Sequence, residues 1–97
     1  MNTKSIAVLA LLAAAPIAAL AHGTVPQQAA AAATSTAELF VKTQTPEIRR
    51  QFQTITASVA GHEQFDVVVT LKTKAQLNYF CEENEAMDPV VWECVAR

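Results

Sequence analysis

Glycine is nearly missing from this chain, with Gly23 and Gly61 the only two in 97 residues. A loop that cradles phosphate needs several glycines so that backbone N–H groups can approach the anion, so P-loop and dinucleotide-binding chemistry is excluded. Histidine is equally scarce. With only His22 and His62 present, no Ser-His-Asp arrangement has a spacing that supports it. Basic charge is thin as well: beyond Lys4 there are Lys42, Arg49, Arg50, Lys72, Lys74 and Arg97, set against nine acidic residues. Nucleic-acid binding rests on clustered Lys and Arg, and the one doublet, Arg49-Arg50, reads as a solvated face, so nucleic acid is not expected as a partner. The apolar run from Ile6 to Ala21 is shorter than the roughly 20 residues of a spanning helix and is mostly alanine, so it does not read as a membrane anchor.

What that run does match is an export signal. "MNTKSIAVLALLAAAPIAALA" has a basic start at Lys4, an apolar middle, and Ala19-Leu20-Ala21 as a small-x-small cleavage site. Residues 1–21 are therefore expected to be a signal peptide, and the mature protein to begin at His22, be periplasmic or secreted, and insert in no membrane after cleavage. No cysteine follows the cleavage site, which argues against a lipid anchor. Removing Lys4 leaves a mature net charge of −3. Residues 22–35, "HGTVPQQAAAAATS", offer no large apolar side chain beyond Val25. They read as a flexible tether, because so little apolar surface does not offset the entropy of ordering it. One small domain, residues 36–97, remains.

Within that domain Ser35 and Glu38 fit a capping box, and Thr45-Pro46 repeats the helix-start signal. The expectation is a short N-terminal helix, broken at Thr45-Pro46. From Ile55 onward the apolar period drops to two, and four such segments predict an antiparallel meander. The fold class is thus α+β, the helix packed on one face of a four-stranded sheet. A turn at Gly61-His62-Glu63 sets Val59 opposite Phe65, Ala57 opposite Val67 and Ile55 opposite Val69. A second turn at residues 72–76 is expected to set Leu71 opposite Leu77, Val69 opposite Tyr79 and Val67 opposite Cys81. Thr73 and Gln76 form a competing helix-start signal for residues 74–86, but the β-favouring run "LNYFC" and the register favour a strand.

The two cysteines, Cys81 and Cys94, fall opposite each other in the last hairpin of this scheme. An exported small domain with two cysteines pairs them, and a structural disulfide is the expectation. A nucleophilic thiol served by His62, or a metal dithiolate, would need reduced cysteines and a fuller ligand set. Residue His22 is the candidate metal ligand: as a mature N-terminus its amine and imidazole could chelate copper, with His62 the one further histidine. Glu82, Glu83, Glu85 and Asp88 supply oxygen ligands but match no calcium loop and read as a solvated hairpin tip. Nor does spacing support a glycosidase pair among them. No cofactor is implied, and the chain is not expected to be an enzyme.

The other face of the predicted sheet is polar except for a row formed by Val68, Phe80, Val91 and Val95, the pattern of a binding patch. The expected role is a small exported interaction module that binds an unidentified protein or self-associates, with a copper-handling protein using His22 as the alternative. The motif Tyr79-x-Cys81 … Trp92-x-Cys94 resembles small bacterial lysozyme inhibitors, which are disulfide-stapled β domains. The resemblance spans under a fifth of the chain, implies an inhibitor-like role, and does not amount to family membership. An intact mass of the exported protein is expected to start at His22 and to fall two hydrogens below the reduced value. A retained leader or a fully reduced mass would refute the export reading.

Overall fold

The order of elements follows where helical and alternating patterns meet. The computed structural model describes residues 23–87 and 90–97, so the expected signal peptide, His22 and Asp88 lie outside the described residues. Helix α1 spans Val25–Thr43 and a short helix α2 spans Pro46–Arg50. Strands β1 (Phe52–Gly61), β2 (Gln64–Leu71), β3 (Gln76–Asn84) and β4 (Val91–Ala96) follow. They form one antiparallel sheet in the order β1-β2-β3-β4, and α1 packs across one side of it. The α+β class and the strand at residues 76–84 are as expected.

The helix is longer than the sequence pattern predicts. Residues 25–35, expected as a tether, are its first turns. Its start is Thr24, whose hydroxyl accepts from the Gln27 N–H at 3.3 Å while the Thr24 N–H donates to Gln27 Oε1 at 2.7 Å. That reciprocal pair is a capping box, and Pro26 sits in the first turn, where a missing N–H costs nothing. The alanine run that follows has the highest intrinsic helix propensity. Lack of bulk does not mean lack of burial here: Ala32 and Thr36 are completely buried against the sheet, because small side chains let the helix axis come close. Ser35, expected as a cap, lies mid-helix.

The break at Thr45-Pro46 is present. Gln44 ends α1 in extended conformation, its N–H donating to the Phe40 carbonyl at 3.0 Å, and the Thr45 hydroxyl accepts from the Ile48 N–H at 3.3 Å. Arg49 is half-buried rather than part of a solvated face. Its guanidinium donates to the Gln44 carbonyl at 2.7 Å and the Val41 carbonyl at 3.3 Å, satisfying the end of α1.

The first hairpin has the expected register, with Val59–Phe65, Ala57–Val67 and Ile55–Val69 opposed. The second is displaced by two residues: Val69 faces Leu77, Val67 faces Tyr79 and Phe65 faces Cys81. Its turn is tighter than expected, because Lys74 takes a left-handed conformation (φ 78°) and donates its N–H to the Leu71 carbonyl at 2.8 Å. A two-residue slip leaves every side chain on its face. The core is consequently as the alternation implies: Phe65, Val67, Val69, Leu71, Tyr79 and Cys81 from the sheet meet Ala32 and Phe40 of the helix. Phe52 closes one end against Phe40, with ring centroids 5.9 Å apart.

Close approach at Ala32 gives a direct test of the corrected helix. Ala32→Leu is expected to cost about 1–3 kcal/mol through overpacking, seen as a lower urea midpoint at unchanged slope. A neutral result would mean that residues 25–35 do not pack on the sheet.

Candidate functional site

The buried face and the open face of the sheet carry the two groups of residues singled out by the sequence. On the buried face Cys81 and Cys94 are joined, with Cα atoms 4.0 Å apart. Backbone pairing explains why they can be. The Arg97 N–H donates to the Asn78 carbonyl at 2.8 Å, so the directly opposed pair 78/97 is hydrogen-bonded. By alternation Cys81/Cys94 is a non-hydrogen-bonded pair, the kind that brings Cα atoms closest. No thiol remains for nucleophilic or metal chemistry.

The disulfide is also the seat of the helix. The Thr36 hydroxyl lies 3.1 Å from Cys81 Sγ and 3.4 Å from Cys94 Sγ. Only the hydroxyl has a proton to give, so Thr36 donates and the sulfurs accept. The Ala32 carbonyl oxygen is 3.6 Å and 3.7 Å from the same sulfurs, a packing contact, since a disulfide has no hydrogen to donate. Trp92 and Phe65 meet edge to face beside the bridge, centroids 5.7 Å apart. The motif residues Tyr79, Cys81, Trp92 and Cys94 therefore share the helix-covered side, and their work there is structural. Burial pushes the Tyr79 hydroxyl above its ordinary pKa, and a hydrogen bond with the Gln44 side chain partly opposes the shift.

The open face holds Val68, Phe80, Val91 and Val95, but not as a continuous row. The two-residue displacement puts Asp66, not Val68, opposite Phe80, and Val68 opposite Asn78. Phe80 and Val95 are directly opposed as expected, while Val91 pairs with Asn84 at the far end. Arg97 lies 4.4 Å over the Phe80 ring and reaches Asp66 Oδ1 at 3.2 Å. Val95 is 57% exposed beside them. A shallow depression of about 430 Å³ opens between Asp66, Val68, Asn78 and Arg97. Next to the Phe80–Val95 pair, Glu82 and Glu93 stand directly opposite each other, held by Gln64 and Asn84 amides at 3.4 and 3.0 Å. The face is thus a small apolar centre with a mainly acidic rim. The opposition of Glu82 and Glu93 follows from the last hairpin, whereas the place of Asp66 beside Phe80 was invisible without the true register of the second.

No family model, curated protein or solved structure matches the chain.

The remaining candidates are separated. Strand alternation sends Glu82 to the open face and Glu83 to the covered one. The carboxylates of Glu63, Glu83 and Glu85 gather within 4.8 Å of one another, and each already engages other groups of the protein. Glu63 joins them from the first turn, a long-range meeting that spacing in the tip sequence did not signal. His62 is fully solvated on that turn, 3.6 Å from the Glu63 carboxylate. Its proposed partner His22 lies outside the described residues.

The coupling of bridge and helix is measurable. Replacing both cysteines by alanine is expected to cost about 3 kcal/mol in denaturant unfolding. Thr36→Val is expected to cost about 0.5–1.5 kcal/mol with the bridge intact and distinctly less without it. Equal cost in both backgrounds would show that the hydroxyl does not work through the sulfurs.

Proposed function

We infer that this is an exported, non-enzymatic interaction module whose open sheet face docks a protein. The observation that carries this reading is the Phe80–Val95 pair, Val95 exposed and Phe80 half-buried, on the face that no helix covers among the described residues. A disulfide in the core and the export-like leader sequence support a location outside the cytoplasm. Among the described residues, no helix is long and apolar enough to cross a membrane.

The rim supports a partner of complementary charge. Asp66, Glu82 and Glu93 frame the apolar centre, and Arg97, the one cation there among the described residues, is already engaged with Asp66. A complementary surface presents an apolar plug flanked by lysine or arginine, so that rim charges steer encounter and the plug displaces Arg97 from the Phe80 ring. An inhibitor-like role toward a basic exported protein is the specific form this takes.

Phe80→Glu tests it, with Val95→Glu as the variant at an exposed site: loss of the half-buried ring under Arg97 is expected to cost about 0.5–3 kcal/mol, and Val95→Glu about 0.5 kcal/mol or less. Recovery of the partner from periplasmic extract is expected to be lost with Phe80→Glu and weakened by salt with the native protein. Recovery unaffected by either Phe80→Glu or Val95→Glu would refute docking at this face.

A further inference from the structure

The outer edge of β1 carries a second, independent surface. Edge strands are ordinarily guarded by lysine, proline or a central bulge, because their free backbone groups recruit other strands. The opposite edge, β4, carries Glu93. Strand β1, "FQTITASVAG", has no charge and no proline in ten residues. Its register is irregular only near its ends, between Phe52 and Thr54 and between Val59 and Gly61, leaving Thr54–Val59 regular. Among the described residues no strand pairs with this edge.

The direction of its backbone groups follows from the neighbouring hairpin. The Leu71 N–H donates to the Ala75 carbonyl at 2.9 Å, and the Glu83 N–H to the Glu63 carbonyl at 3.2 Å. Odd-numbered residues of β2 therefore aim their backbone at β3, and even-numbered ones aim theirs at β1. There they meet Thr54, Thr56 and Ser58. The N–H and C=O groups of Ile55, Ala57 and Val59 must then point outward.

Those three residues sit in "ITASV", residues 55–59, which reads nearly the same in both directions: branched apolar, hydroxyl, alanine, hydroxyl, branched apolar. We propose that β1 pairs antiparallel with β1 of a second copy, across a two-fold axis at Ala57. Ile55 then faces the partner copy's residue 59, and Ala57 faces its own equivalent. All three outward-pointing residues exchange hydrogen bonds with outward-pointing residues. Thr56 faces Ser58 of the second copy on the solvent side. An axis at Ala57 is the one that pairs all three outward-pointing residues of the regular stretch with one another, and a shift by one residue would oppose outward groups to inward ones. The identity of the two surfaces is what an isologous dimer requires. It also accounts for Val59, which lies on the helix side of the sheet yet is 62% exposed, and which the second copy covers. The result is a continuous eight-stranded sheet with both helices on one side and both open faces on the other. This interface uses none of the residues of the Phe80–Val95 patch or its acidic rim and stands whether or not that patch binds a partner. If it does, the dimer is bivalent.

Sedimentation equilibrium and amide hydrogen exchange on protein expressed from the full chain test the pairing. The expected results are a dimer mass and slow exchange at Ile55, Ala57 and Val59, whose amides face solvent in a monomer. Ala57→Pro removes an outward N–H while leaving the bonds to β2 intact, and is expected to give a folded monomer. Should that variant fail to fold, Thr56→Lys with Ser58→Lys decides, because both sites are exposed. It opposes lysine to lysine twice and is expected to weaken the dimer about tenfold or more. Thr56→Lys with Ser58→Glu opposes unlike charges and is expected to restore it. A native chain that stays monomeric at every concentration overturns the proposal. So does a dimer that survives the double-lysine change, or one lost on Phe80→Glu alone.

Discussion

Everything in this fold depends on how closely one helix can lie on the Cys81–Cys94 bridge. Among the described residues one long helix is the main cover of the sheet. Burial therefore has to come from close approach, not from bulk. Alanine and threonine at residues 32 and 36 permit that approach. They put a backbone carbonyl and a hydroxyl within reach of two sulfurs that present almost no hydrogen-bonding demand of their own. The bridge thus joins two strands and also forms the floor on which α1 rests.

Covering one face leaves the other for solvent, and an open sheet also has two edges. The protein treats these surfaces unequally. The open face is mostly hydroxyls, amides and carboxylates, with Phe80 partly shielded by Arg97. Strand β4 has a charged residue in its run, whereas β1 has none. The least protected surfaces, the Phe80–Val95 pair and the β1 edge, are where association would bury the most at least cost. They are separated by β2 and face different directions, so occupation of one does not obstruct the other.

Alternation was the most legible feature of the sequence. Phe65, Val67, Val69 and Leu71 could only share a face, and the pairing of Cys81 with Cys94 followed once the last hairpin was closed. Two things escaped. The second turn closes in fewer residues because Lys74 accepts a left-handed backbone, which nothing in its identity announces. That slip preserved the faces but changed the neighbours, replacing Val68 by Asp66 beside Phe80 and breaking the anticipated apolar row. The helix start was also missed, although Thr24, Pro26 and Gln27 carry the signal. Weighing apolar bulk over helix propensity made an alanine-rich segment look unable to pack.

By itself the sequence determined the class of fold, the side each strand residue faces and the disulfide, because these follow from a period of two and from there being two cysteines. The tertiary structure alone decided who stands beside whom. It placed α1 on the bridge, brought Glu63 to Glu83 and Glu85, set Arg97 over Phe80, and turned the backbone of Ile55, Ala57 and Val59 outward. Those outcomes depend on turn length and on which way each strand's N–H groups point. Side-chain periodicity repeats every second residue and is blind to both.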